Sequence, residues 1–372
     1  MPYRPLTSGL PSKAFVKASI GLAVGVLILA ACGSSAAPSA TPSPTVPEPS
    51  SIAASVAPSV VASVPAATAV TSSITPEATI AVPEVGGLAF DGAMLWVFTG
   101  SGASARVDPA TNAIGALTTV DATHQDGGFG VNKQGLWLND FDTSLLYRID
   151  PATLKVVAKI RVGLNPEGLA VDPKNAAIWV ANHRGGTVSR IDPTTNTVVA
   201  TIPVGNTGPS GPHHVGLGLG SVWVGVPNTS SVYRIDPTTN KVQATIAIPA
   251  VASPCSGFAF GEKAVWMSSC FDTTILVRID PIANKVVATI QLRGYGDDPI
   301  MVNGVPWLGV ESTSGGPARL VRIDPTTNTI DRIVSLGDGF MGGNLVVANG
   351  SVWATDGANN KILRLPLAGF TP

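Results

Sequence analysis

The tetrapeptide Arg-Ile-Asp-Pro, or a near relative, begins at Arg106, Arg148, Arg190, Arg234, Arg278 and Arg322, and survives as Arg-Leu-Pro at Arg364. The steps between copies are 42, 42, 44, 44, 44 and 42 residues. Seven copies at one period describe a single supersecondary unit stacked on itself, since one such unit cannot bury its apolar face alone. The chain's seven tryptophans, Trp96, Trp137, Trp179, Trp223, Trp266, Trp307 and Trp353, keep the same rhythm, one ahead of each copy.

The segment Trp179 to Gly205 shows what one unit builds. The runs Gly168 to Val171, Ile178 to Asn182, Thr187 to Ile191 and Thr197 to Val204 are short, rich in β-branched residues and separated by turn formers, which predicts four strands, A to D. Asn349-Gly350 between apolar runs predicts a type I′ hairpin between strands A and B, because both residues accept positive φ. Between strands C and D, Asp192 can accept backbone hydrogen bonds, Pro193 pre-sets φ and Asn196 tolerates a left-handed conformation. Four antiparallel strands every 42 to 44 residues match one propeller blade. The expected fold is all-β, a seven-bladed β-propeller of four-stranded antiparallel blades. One Trp per strand B suits the wedge between blades, so the tryptophans are expected in the core and not as ligand platforms. The seventh blade has too few residues after Pro366 for a strand D, and Ala78 to Pro83 (ATIAVP) resembles that strand in other units. The ring is therefore expected to be closed by an N-terminal strand.

The blocks WVAN and TVSRIDPTTNTVVATIPVG resemble the YVTN repeat of bacterial and archaeal surface-layer and YncE-like propellers. More distantly the chain resembles virginiamycin B lyase and NHL propellers. The resemblance covers roughly residues 77 to 366 and implies the propeller fold; it does not imply one activity, because propellers carry many. In the lyases, as the resemblance implies, a Trp-Phe-Thr-Glu type sequence often places a Glu three residues after the blade Trp, and Pro-His often precedes strand A. Here the first position holds Thr99, Asp140, Asn182, Val226, Ser269, Val310 and Asp356, so the Glu is nowhere retained, whereas Pro212-His213-His214 keeps the second feature.

Residues 1–31 carry Arg4, Lys13 and Lys17, no acid, and an apolar run from Ala18 to Ala31, the pattern of a signal peptide. The run ends Leu-Ala-Ala-Cys at Cys32, which resembles the bacterial lipobox and implies lipidation of Cys32 after cleavage. Residues 32–76 are Pro-, Ser-, Ala- and Thr-rich with Glu48 as the only charge before residue 77, a composition that cannot offset its ordering entropy and reads as a disordered tether. Residues 77–372 are the propeller. The expected location is extracytoplasmic, on a bacterial membrane through the lipid anchor. Without residues 1–31 the chain has 20 Lys and Arg against 24 Asp and Glu and no basic stripe, which argues against a nucleic acid partner. We expect a monomer with a protein or glycan ligand at the channel mouth.

The D-to-A connections and B-to-C turns emerge on one face, where propeller ligands meet loops. All four histidines fall there: His124, His183, His213 and His214. With Asp140 or Glu167 as partner, His183, His213 and His214 could hold a divalent metal or orient a polar ligand. No cofactor is otherwise implied, and no phosphate loop, HExxH, GxSxG or zinc-spaced Cys motif is present. No residue is therefore assigned a catalytic role. Cys255 and Cys270 are expected to form a disulfide, because both lie equally far from the Glu262-Lys263 turn of the fifth blade's hairpin. Three functions stay open: a binding or scaffolding module, a propeller enzyme of the lyase or lactonase type, and a structural surface-layer component.

Overall fold

A computed structural model describes residues 69–120, 128–174, 176–249, 252–269, 274–314, 316–336, 340 and 343–371. The signal-like segment, Cys32, His124 and Cys270 lie outside the described residues. Within them the chain is a ring of seven antiparallel blades with no helix longer than a 3₁₀ turn. The third blade is the type specimen: strand A is Pro166–Val171, B Ile178–Asn182, C Thr187–Asp192 and D Thr197–Pro203, paired in that order. At its C–D turn Asp192 Oδ1 accepts from Thr194 N–H (2.7 Å), and Asn196 sits at φ 57°. The same backbone donors hold the carboxyls of Asp192, Asp236, Asp280 and Asp324 below the usual carboxylate range. The Asn349-Gly350 hairpin has φ 47° and 72°, the two positive values of a type I′ turn.

All seven tryptophans are at most 2% exposed and pack between blades. They are core, and the repeated Arg explains why the motif is kept with them. Each guanidinium lies over its own blade's indole, at 4.9 to 5.6 Å from the ring centroid in six of the seven blades. It then reaches the next blade's C–D turn: Arg148 donates to Pro193 O (3.2 Å) and Asn196 Oδ1 (3.1 Å), Arg278 to Pro325 O (2.6 Å) and Asn328 Oδ1 (2.7 Å). Arg364 donates to Asn112 Oδ1 (3.1 Å) and so joins the seventh blade to the first. The exception is Arg322, because the seventh blade has no C–D turn to receive it. Arg322 faces Asp331 at 3.6 Å instead, and Trp307 packs against Phe370 from the C-terminal 3₁₀ turn (4.8 Å, 64°).

The second blade breaks the turn rule. Its left-handed residue is Leu154 (φ 55°), where other blades place Asn, so Arg106 reaches Pro151 O without the second acceptor. A left-handed conformation costs a β-carbon residue about 1–2 kcal/mol, and Asn tolerates it best. Leu154→Asn should therefore stabilise by about 1 kcal/mol despite lost packing, raising Tm by roughly 2 °C in thermal denaturation. A lower Tm would show that Leu154's contact with the neighbouring apolar cluster outweighs its backbone strain.

Two strands precede the repeat. Ala78–Ala81 runs antiparallel to Lys361–Pro366, Ala78 opposite Arg364, in the place of the strand that the seventh blade lacks. Val70–Ser73 lies parallel to Thr329–Ser335 at the outer edge of the sixth blade. Strand structure thus begins inside the segment read as tether, ahead of residue 77, because an outer edge strand carries no repeat signature. In the fifth blade the register runs from Gly261 opposite Ala264 to Phe258 opposite Met267, the pairing expected from the Glu262-Lys263 turn. Among the described residues this ladder runs to Phe258 opposite Met267; Cys255 is buried beyond it, and its expected partner Cys270 lies outside the described residues.

Candidate functional site

The site grows from one register position. In every blade a strand-A residue stands opposite the strand-B Trp: Ala89, Gly130, Ala170, Gly216, Ala259, Ile300 and Val346. Two residues earlier the chain has Gly87, Gly128, Gly168 and Gly257 in four blades but His214, Asp298 and Asn344 in the others. One residue further back stand Glu167, His213, Ser256 and Asp297 in blades three to six, against Gly86 and Gly343 in the first and seventh. Polar side chains thus replace glycine on one arc of the channel mouth.

Strand A is irregular there, which aims those side chains. In the third blade the A–B register slips between Pro166 and Leu169, around Glu167 and Gly168. In the sixth, strand A splits into Tyr295–Gly296 and Ile300–Val302, leaving Asp297 and Asp298 in the gap. Such bulges redirect side chains that a flat ladder would alternate. The second blade fixes the Glu167 backbone, since Asn139 Nδ2 donates to Glu167 O (3.2 Å) and Gly168 O (3.3 Å). Close approach fixes the histidines: a Cβ on Gly168 would collide with His213 O, and one on Gly211 with His183 O.

Glu167 stands between two imidazoles. Its Oε2 is 2.9 Å from His183 Nδ1 and its Oε1 3.1 Å from His213 Nε2. His183 comes from the third blade's B–C turn, where its N–H donates to Asn165 O (2.8 Å), and its Nε2 accepts from Ser210 N–H (3.2 Å). The His183 Nδ1 atom is buried and, despite its closeness to Glu167, makes no aligned hydrogen bond. His213 is 3% exposed, and burial, then the neighbouring His214 and His183, lower its pKa to about 2, so it is neutral. His214 Nδ1 lies 2.7 Å from Cys255 O; a carbonyl only accepts, so that nitrogen carries a hydrogen, and Nε2 lies 3.8 Å from Asp298 Oδ2.

Asp298 Oδ1 accepts from Gly257 N–H (2.6 Å) and Asp297 Oδ2 from Gly343 N–H (3.0 Å), so each ties its blade to a neighbour. Burial, reinforced by the Glu311 carboxylate, pushes the Asp297 carboxyl up to about 7. A cavity of about 280 Å³ opens at the mouth. Its one wall is Gly86, Gly87, Gly128 and the stacked Phe98 and Phe129 rings (5.1 Å, 25°); the other is Glu167, His213, His214, Asp297 and Asp298. No Lys or Arg is among the described lining residues.

Of the sequence candidates, the fold gathers Glu167, His183 and His213 most tightly, with His214 beside them. Asp140 does not join that group: it is buried, accepting from Tyr147 O–H (3.2 Å) and Thr143 N–H (3.1 Å) to hold its own B–C turn. Asp297 and Asp298 belong to no motif that the sequence marks. Aligning the repeats backward from each Trp would have shown them on the positions of His213 and His214, where glycine is the commoner residue.

No family model matches the chain, and no curated protein matches it in sequence. Solved structures do. Virginiamycin B lyase from Staphylococcus aureus is 14% identical with a TM-score of 0.62, covering 78% of this chain and 98% of its own. A streptogramin B lyase structure is 17% identical at a TM-score of 0.62, covering 77% and 94%. The Neurospora crassa Pan2 WD40 domain is 12% identical at a TM-score of 0.60, covering 78% and 94%. At these identities the likeness is one of fold, the seven-bladed propeller.

Proposed function

We propose that this propeller is a binding module anchored to the bacterial envelope through Cys32, whose channel-mouth cavity takes a small hydrogen-bond-donating ligand such as a sugar ring of an envelope glycan. The observation that carries the reading is the cavity's two-sided lining, acceptors on one arc and glycines with stacked phenylalanines on the other. A ring can lie on the Phe129 side while its hydroxyls donate to Asp298 and to His214 Nε2, a division of labour common to small-ligand sites. Its volume is near the low end of the roughly 300–1,000 Å³ of such sites, so a protein partner could insert only a loop tip.

A glycan array probed with wild type and Asp298→Asn tests this. Wild type should bind a restricted set of glycans, and the variant, which keeps an acceptor for Gly257 N–H, should bind them at least tenfold more weakly. Equal binding by both would place recognition elsewhere. Fatty-acid labelling in a bacterial host, lost in Cys32→Ser, tests the anchor.

A second reading, a lyase or lactonase, is favoured by the likeness to two lyase structures and by the histidine cluster. Turnover of a lactone or cyclic depsipeptide, abolished in His214→Ala, would establish it in place of the first.

A further inference from the structure

The structure assigns Glu167, His183 and His213 as a binding site for a zinc-class divalent ion, a claim independent of the ligand proposed above. One donor atom from each of the three lies within 4.8 Å of the others. His183 Nδ1 lies 2.9 Å from Glu167 Oε2 and His213 Nε2 3.1 Å from Glu167 Oε1, so the two imidazole nitrogens flank one carboxylate at slightly less than the roughly 3.4 Å edge of a tetrahedron with metal–ligand bonds of about 2.1 Å. A small outward movement of each donor suffices to admit the ion.

Two features separate this arrangement from a plain carboxylate–histidine contact. His183 Nδ1 is buried and close to Glu167, yet is not aimed along a hydrogen bond to it. An imidazole that shares a metal with a carboxylate is directed at the ion and not at the oxygen. The three residues come from rigid places: Glu167 from a bulge gripped by Asn139, His183 from a turn packed on Gly211, and His213 from a strand start packed on Gly168.

The donor set selects the metal. Two imidazoles and one carboxylate suit zinc and its neighbours, whereas magnesium and calcium take oxygen. Glu167 and His213 also line the cavity, so the fourth coordination position faces it, as in sites with three protein ligands. His214 is left out, because its Nδ1–H is held by Cys255 O and its Nε2 faces Asp298. Loading has a cost: coordination through His183 Nδ1 moves that ring's hydrogen to Nε2, so Ser210 N–H must turn aside, and likewise His213 must move its hydrogen to Nδ1, facing His214 Nδ1. The exposed backbone at Ser210 leaves room for the first adjustment.

The test is titration of the chelator-stripped full chain in detergent with zinc, and with cobalt(II) as a spectroscopic substitute, no organic ligand present. Wild type should bind one zinc per chain, raise its Tm on loading, and show the visible absorption of low-coordinate cobalt(II). Glu167→Gln and His183→Gln, checked for folding by circular dichroism, should each weaken zinc binding at least tenfold and change or abolish the cobalt spectrum. Cys32→Ser should leave both unchanged, showing that the anchor takes no part in zinc binding. Absence of cobalt absorption in wild type, or equal zinc affinity in folded Glu167→Gln and His183→Gln, would overturn the assignment. Asp298→Asn should bind zinc like wild type, so the fate of the glycan reading is read separately.

Discussion

Deleting Glu77 to Pro83 is expected to lower the stability of the propeller by on the order of 5 kcal/mol and its Tm by roughly 10 °C or more. Ile80 and Val82 are 8% and 0% exposed beneath the seventh blade, and burial of such side chains is worth about 1.5–3 kcal/mol each. The segment also supplies the ladder from Ala78 to Ala81, with Glu77 N–H donating to Arg364 O (2.8 Å) and Val82 N–H to Asn360 O (2.8 Å). Without it, Lys361–Pro366 becomes an open edge, a template for pairing with another chain. Thermal denaturation and light scattering should show a less stable, more self-associating protein. Val82→Ala should lose about 2 kcal/mol with the edge still covered, isolating the packing contribution. An unchanged melting curve on deletion would mean that the ring does not depend on this strand.

The second large effect is a pH dependence centred on Asp297. Its carboxyl is raised to about 7 by burial, whereas an unfolded Asp titrates near its ordinary value of 3.8. The folded state therefore holds this proton more tightly than the unfolded chain. Below pH 4 the group is protonated in both states and favours neither. As pH rises from 4 to 7 the unfolded chain gains the advantage of ionising, and stability falls by on the order of 4 kcal/mol; above 7 both states ionise and the loss stops growing. Asp297→Asn removes the titration while keeping an acceptor for Gly343 N–H. Urea unfolding at pH 5 and pH 8 should show the variant gaining about 2–3 kcal/mol over wild type between the two. A constant difference would mean that Asp297 titrates normally. Asp297 Oδ2 also ties the sixth blade to the seventh at the cavity wall, so its ionisation acts on the cavity as well as on the fold.

The architecture was legible because a repeat states its period seven times. The 42- to 44-residue step and one Trp per unit required units that fill the gap between neighbours, and turn chemistry at Asp192-Pro193 and Asn349-Gly350 named the hairpins. Local sequence decides local backbone, so these readings needed no knowledge of distant contacts. The role of the motif's Arg was not legible, because its acceptors lie roughly one period further along the chain, as Arg148 to Asn196 shows. The parallel strand Val70–Ser73 was hidden for a related reason: an outer edge strand needs no apolar pattern.

For the site, sequence alone placed His183, His213, His214 and Glu167 on one face, since hairpin connectivity dictates which loops share a rim. It could not rank Asp140 against Glu167. Both are acids at strand ends, and only the packed ring shows one spent on Tyr147 and Thr143 and the other standing between two imidazoles. That choice is made by bulges at the start of strand A and by glycines that let adjacent blades touch. The period of a repeat is written within each unit, but the distance between side chains of different units exists only once the ring has closed.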